Sequence, residues 1–139
     1  MGSWSGSIPA DHEQLMDACI FCEPQEDRVF LRNAQAYALW DAFPVCPGHA
    51  LVIPRRHARD FFELSVEELL ACNDLLRSAR ELLTEQDPKI EGFNIGLNVG
   101  AAAGQTVFHC HFHLIPRRHG DVDDPRGGVR HLIPGKGYY

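Results

Sequence analysis

"VFHCHFHLIP" (residues 107–116) is the stretch on which the reading of this chain turns. His109, His111 and His113 alternate with Cys110, Phe112 and Leu114. A period of two is the signature of a strand, whose successive side chains point to opposite faces. The segment therefore predicts a strand over 107–116, with three histidines on one face. The other face, Cys110, Phe112 and Leu114, is apolar enough to join a core. Three of the protein's eight histidines fall in this one segment. A half-buried strand with a polar outer face explains one or two of them, but not three in register.

Same-face neighbours in a strand lie about 6.6–6.8 Å apart, so the outer pair is roughly 13 Å apart. A zinc ion needs each nitrogen at about 2.0–2.1 Å. Three histidines along one straight strand cannot all converge on one ion, and at least one must serve another purpose. Neutral imidazole is also a nucleophile and a general acid or base near neutral pH. The small-residue loop "AAAGQT" (101–106) lies just upstream. Gly104 allows close approach of a ligand to the backbone, and consecutive amides can cradle an anion. A phosphate cradle leading into a row of histidines suggests attack on phosphorus.

Working outward, "RVFLRN" (28–33) and "AYALWD" (36–41) read as two strands joined by a turn at Asn33-Ala34. "FPVCPGH" is a loop punctuated by Pro44, Pro47 and Gly48, and "HALVIP" (49–54) is a third strand. Ser65 followed by Glu68 is a capping box. Behind it Leu69, Leu70, Cys72, Leu75, Leu76, Ala79, Leu82 and Leu83 recur near helical spacing, so a long helix is expected over 65–86. "GFNIGLNVG" (92–100) reads as a fourth strand with Phe93, Ile95 and Leu97 on one face. Short strands in sequence around one long helix give an α+β fold: a mostly antiparallel sheet of about five strands with the helix on one face. A short helix is expected near 10–18. Residues 1–10 read as a mobile tail and 11–139 as a single domain, with extended coil from Gly120.

The 139 residues suffice for one core, with apolar content of 45% and charged content of 23%. No apolar run approaches the ~20 residues of a membrane span, and no signal-peptide pattern opens the chain. The expected location is the cytoplasm, with no membrane partner. Five cysteines in such a chain do not suggest a disulfide framework. A formal charge of −6 argues against a broad footprint for a nucleic-acid polymer.

"GQTVFHCHFHLIP" resembles the histidine-triad signature, His-x-His-x-His followed by two apolar residues. "PGHALVIPRRH" (47–57) resembles an earlier motif of the same family, and "CIFC" (19–22) the zinc-binding start of many bacterial members. The resemblance spans about residues 19–116. It implies a homodimeric nucleotidyl hydrolase or transferase acting on purine nucleotides such as dinucleoside polyphosphates or nucleoside phosphoramidates. On the family pattern His111 is the nucleophile, His113 binds the phosphate and His49 supports the pair. Asp41 contacts a ribose hydroxyl, and Asn98, Gly104, Gln105 and Thr106 contact phosphate. Cys19, Cys22, His57 and His109 would hold a structural zinc.

Two other functions compete. One is a hydrolase with catalytic zinc, such as a deaminase; that pattern pairs H-x-E with P-C-x-x-C, whereas CIFC here follows Ala18 and no H-x-E occurs. The other is a nucleotide-binding adaptor without turnover. The tail from Gly120 carries Arg126, Arg130 and Lys136 against Asp121, Asp123 and Asp124. It reads either as a solvated end or as a flap over the leaving group.

Overall fold

The structure, a computed structural model, describes residues 19–139. The expected short helix near 10–18 and the tail at 1–10 lie outside the described residues. Five strands form one antiparallel sheet: β1 (Val29–Arg32), β2 (Ala36–Trp40), β3 (Ala50–Pro54), β4 (Ile90–Gly96) and β5 (Phe112–Arg118). Their order is β1-β2-β3-β5-β4, so β4 and β1 are the edges. One long helix, α1 (Val66–Gln86), joins β3 to β4.

The helix starts where the capping box places it. Ser65 Oγ accepts from the Glu68 amide at 3.1 Å, and Glu68 Oε1 accepts from the Ser65 amide at 2.9 Å. Arg56 then clamps the buried Glu68 carboxylate from two nitrogens, at 2.8 and 2.9 Å. That hydrogen-bonded cation holds the Glu68 carboxyl down to about 2.

The buried stripe of α1 is Glu68, Ala71, Cys72, Leu75, Ala79 and Leu83. Leu69 and Leu70, part of the helical pattern in the sequence, are exposed, because they flank a stripe that advances three or four residues at a time. On the sheet, Ala36, Ala38, Val52, Cys110 and Phe112 meet Ala71, Cys72 and Leu75 of the helix. Tyr37, Leu39, Leu51 and Ile53 point to the opposite face, where Phe21 covers them. β2 and β3 are thus buried on both sides. Each fully buried Leu or Ile contributes about 1.5–3 kcal/mol.

Two strands differ from the sequence reading. β4 runs Ile90–Gly96 rather than 92–100, because its last partner is His113, opposite Gly96. Ile95, on the same face as Phe93, is 53% exposed. Ala79 and Leu83 of α1 share a cluster with Ile90 at the start of β4, against which Phe93 packs, and Ile95 lies outside that cluster. β5 begins at Phe112, not Val107. The paired register stops at Val52↔Phe112, and the Cys110 amide turns away to the Ala58 carbonyl at 2.7 Å. Pro116 sits past the end of β3, so its missing N–H interrupts no ladder bond on that side.

The C-terminal segment is not extended coil. It makes a 3-10 turn at Gly128–Leu132 and folds back on itself. His131 bonds to the Arg126 carbonyl at 2.8 Å, and Arg130 donates to the Gly137 carbonyl at 3.1 Å. The turn comes up against Asn94 of β4. Arg117 is tied to Asn94 and Asp121, and Arg118 to Asp87 and the Pro47 carbonyl. Arg117, Arg118 and Arg130 are thus engaged within the tail and the sheet.

One loop position sets the entry to β3. Gly48 has φ of +88°, and a Cβ there would stand 2.9 Å from Leu83 Cδ2 and 3.3 Å from Pro116 Cγ. Gly48→Ala is therefore expected to cost about 1–3 kcal/mol, read as a lower denaturant midpoint. An unchanged midpoint would show that the loop and Leu83 relax freely.

Candidate functional site

The histidines of the opening segment divide between two centres. Because residues 107–111 leave the ladder, His109 is not simply one strand step behind His111. It turns under the sheet and is fully buried, with Nδ1 3.4 Å from Cys19 Sγ and 3.5 Å from Cys22 Sγ. His57 Nδ1 lies 3.2 Å from Cys22 Sγ. The four ligand atoms all lie within 4.8 Å of one another. Ligands at about 2.0–2.3 Å from a tetrahedral zinc are themselves about 3.3–3.8 Å apart, so the set fits such an ion with little adjustment. His109 Nε2–H donates to the Pro54 carbonyl at 2.7 Å, which frees Nδ1 as the ligand atom. The three contributing segments precede β1, follow β3 and precede β5.

The second centre is built on β2, β3 and β5. Asp41 follows β2, and its carboxylate Oδ1 accepts from the Phe43 amide at 2.8 Å. His49 enters β3 with its ring buried. The Val45 amide donates to His49 Nδ1 at 3.1 Å, which assigns the proton of that ring to Nε2. His49 Nε2 faces His113 Nδ1 at 2.9 Å and Asp41 Oδ2 at 3.4 Å. His113 accepts through Nδ1 and so carries its own proton on Nε2. His111 Nδ1 donates to the His109 carbonyl at 2.9 Å, leaving Nε2 with a free lone pair. The His111 and His113 rings are 5.3 Å apart, and those of His49 and His113 are 5.1 Å apart.

Burial is the main cause that lowers the pKa of His49, His109, His111 and His113; Asp41 opposes it at His49 and His113, and the bond to the His109 carbonyl, then Asp41, at His111. His109 and His113 are pushed down to about 4. All are neutral near pH 7, as both a metal ligand and a nucleophile must be. Between pH 4 and 6.5 the unfolded chain binds protons at His109 and His113 that the folded chain does not. Stability therefore rises with pH across that window. The melting temperature is expected to fall by several degrees from pH 7 to 5, and His113→Asn should flatten that slope. A slope unchanged in the variant would remove His113 from the account.

The loop before the triad is ordered by Gln105, whose side chain is buried. Its Oε1 accepts from the Gly100 amide at 2.8 Å, and its Nε2 donates to the Arg59 and Val107 carbonyls at 2.8 and 3.1 Å. The Gln105 amide thus ties its loop to itself and to the segment at Arg59. Gly104, at φ +97°, faces the Asn98 amide across 3.9 Å from the position of a Cβ, and Thr106 is exposed. Three contributors were missed in the sequence. The Val45 amide and the Pro54 carbonyl are backbone groups and leave no residue-type signal. Phe21 lies between the two cysteines and packs its ring 5.0 Å from that of His111.

Residues 23–120 match the HIT domain family model, and the chain belongs to the histidine-triad family. It is 36% identical over 104 residues to an adenosine 5'-monophosphoramidase of Schizosaccharomyces pombe, covering 72% of this chain and 74% of that one. Against the asymmetrical bis(5'-nucleosyl)-tetraphosphatase of the same organism it is 37% identical over 103 residues, covering 73% of this chain and 55% of that one. A zinc-bound histidine triad family protein from Mycobacterium smegmatis superposes with a TM-score of 0.68 at 32% identity, over 76% of this chain and 78% of that one.

Proposed function

We propose that the protein is a nucleotide hydrolase or transferase that attacks the α-phosphate of a purine dinucleoside polyphosphate or nucleoside phosphoramidate. The observation that carries the reading is the His111 ring. Its Nδ1–H is tied to a carbonyl 2.9 Å away, so Nε2 presents its lone pair beside His113, which His49 supports in turn. In the first step His111 Nε2 forms a bond to phosphorus as the P–O or P–N bond breaks, and the leaving group takes the electron pair. Water then attacks the same phosphorus, the P–N bond to His111 breaks, and a nucleoside monophosphate departs. His113 Nε2–H hydrogen-bonds a phosphate oxygen. Asp41 faces the ribose, and Asn98, Gly104 and Thr106 face the phosphates, with Gln105 holding their loop. Preset donors of this kind are aimed at charge that develops in the transition state.

Cys19, Cys22, His57 and His109 would hold a zinc ion. Four protein ligands close the tetrahedron and leave no position for substrate. A bound ion there would tie the N-terminal segment to the sheet, and the phosphoryl chemistry stays with His111. A homodimer is supported by the exposed apolar side chains of Ile95 on the edge strand and of Val66 and Leu70 on α1. A reducing compartment such as the cytoplasm suits five free thiols.

Incubation with diadenosine tetraphosphate and with adenosine phosphoramidate tests the reading. AMP should be released from at least one of them, and brief treatment with a chelator should leave activity in the fraction that still holds its metal. Binding of AMP without turnover of either substrate would favour an adaptor. Prompt loss of activity with no change in fold or in the His111 ring would favour a catalytic metal.

A further inference from the structure

The metal-ligand set and the nucleophile touch at two places. His109 uses three groups at once. Nδ1 faces Cys19 and Cys22, Nε2–H is bonded to the Pro54 carbonyl at 2.7 Å, and its main-chain carbonyl accepts from His111 Nδ1 at 2.9 Å. That carbonyl lies N-terminal to the last paired residue of β5, so the sheet ladder does not fix it. Its position depends on the His109 side chain and on the neighbouring Cys110–Ala58 bond. The second contact is Phe21. It stands between the two cysteines and is 6% exposed, its carbonyl accepts from the Tyr37 hydroxyl at 2.6 Å, and its ring tilts at 57° against His111. The same ring meets His109 edge-on at 6.0 Å.

We infer that the Cys19–Cys22 knuckle and His109 are positioning groups for the nucleophile: drawing the four ligands together holds the His109 carbonyl on His111 Nδ1 and the Phe21 ring against its flank. The inference rests on the reading of His111 as the nucleophile. The physical reason lies in the imidazole itself. A ring whose Nδ1–H partner drifts away can exchange to the tautomer protonated on Nε2, and that tautomer has no lone pair on the nitrogen that faces phosphorus. Phe21, packed on the ring at 5.0 Å, opposes its swinging away from the His109 carbonyl. Loosening the ligand set therefore acts on turnover before it acts on the fold, because displacement of a reacting group by ~1 Å can cost about a hundredfold in rate.

The test follows the imidazole nitrogens of His111 by 15N NMR, assigned with His111→Ala, in zinc-loaded protein, chelated protein and the zinc-loaded Phe21→Leu variant. The loaded wild type should show a single Nδ1–H tautomer. The chelated protein, still folded by circular dichroism, should show a mixture, with kcat down at least about tenfold, KM little changed, and recovery on adding zinc. Phe21→Leu should keep its zinc and lose kcat in the same direction, again with a mixed tautomer. A single unaltered tautomer in the chelated protein, with kcat within about twofold, would overturn the inference. Where the chelated protein unfolds, Phe21→Leu decides: full zinc, an unaltered tautomer and unaltered kcat overturn it equally. The tautomer measurement needs no turnover. Persistence of activity in His111→Ala would instead sink the nucleophile reading.

Discussion

His111→Ala is expected to lower turnover by about 10³-fold or more while leaving AMP affinity within a few-fold of wild type. Removing a nucleophile removes the covalent route itself, whereas removing a binding group weakens ground and transition states together. Few side chains on this face can substitute. His113 Nδ1 is occupied by His49, and its Nε2 carries the proton. His109 Nδ1 faces the two thiols, and its Nε2 is bonded to Pro54. On this face, among the described residues, the His111 ring has its proton drawn off to a carbonyl and its second nitrogen free. The variant should still fold, since the core of Ala36, Val52, Cys72 and Phe112 lies on the opposite face of the sheet. A rapid-quench experiment on wild type should show labelled nucleotide on the protein in the first turnover, and the variant should show none. Activity within about tenfold of wild type would exclude His111 as the nucleophile.

The approximate spans of the strands and the long helix were legible because their signals are local. Continuous apolar runs mark β2 and β3, and the Ser65–Glu68 capping box marks the helix start. What the sequence concealed is set by where partners end. "VFHCHFHLIP" alternates throughout, yet it pairs only from Phe112: β3 runs on to Pro54 against β2 alone, and the Cys110 amide goes to the Ala58 carbonyl beyond the strand. That early exit sends His109 toward the cysteines and leaves His111 and His113 to the other centre. Strand spacing alone says only that the three cannot share one ion; it does not say which one departs. Ile95 alternates like a core residue and is exposed, because it lies outside the cluster that α1 forms with Ile90. Gln105 has the composition of a ligand contact, but its hydrogen bonds go to Gly100, Arg59 and Val107, which no local pattern announces.

Cys22→Ser should lose most of the bound zinc, from about one ion per chain to a small fraction, and the melting temperature should fall by about 10 °C or more. The thiolate is the stronger ligand, and a serine hydroxyl does not replace it at neutral pH. The ion would join segments far apart in sequence: the knuckle before β1, His57 after β3 and His109 before β5. Binding at such a site favours only the folded state, so its free energy appears as stability. For a domain of this size a loss of a few kcal/mol shifts the melting temperature by about 10 °C. Burial and the neighbouring Cys19 push the Cys22 thiol up to about 11, so a nearby cation is needed to hold it as thiolate at neutral pH. Cys46→Ser is the control. That thiol donates to the Pro116 carbonyl at 3.3 Å, outside the ligand set, and its removal should leave zinc content unchanged. Full zinc in Cys22→Ser would refute the four-ligand assignment. Lost zinc with an unchanged melting temperature would show that the fold does not draw on the site, and the knuckle would then matter only through Phe21 and the His109 carbonyl.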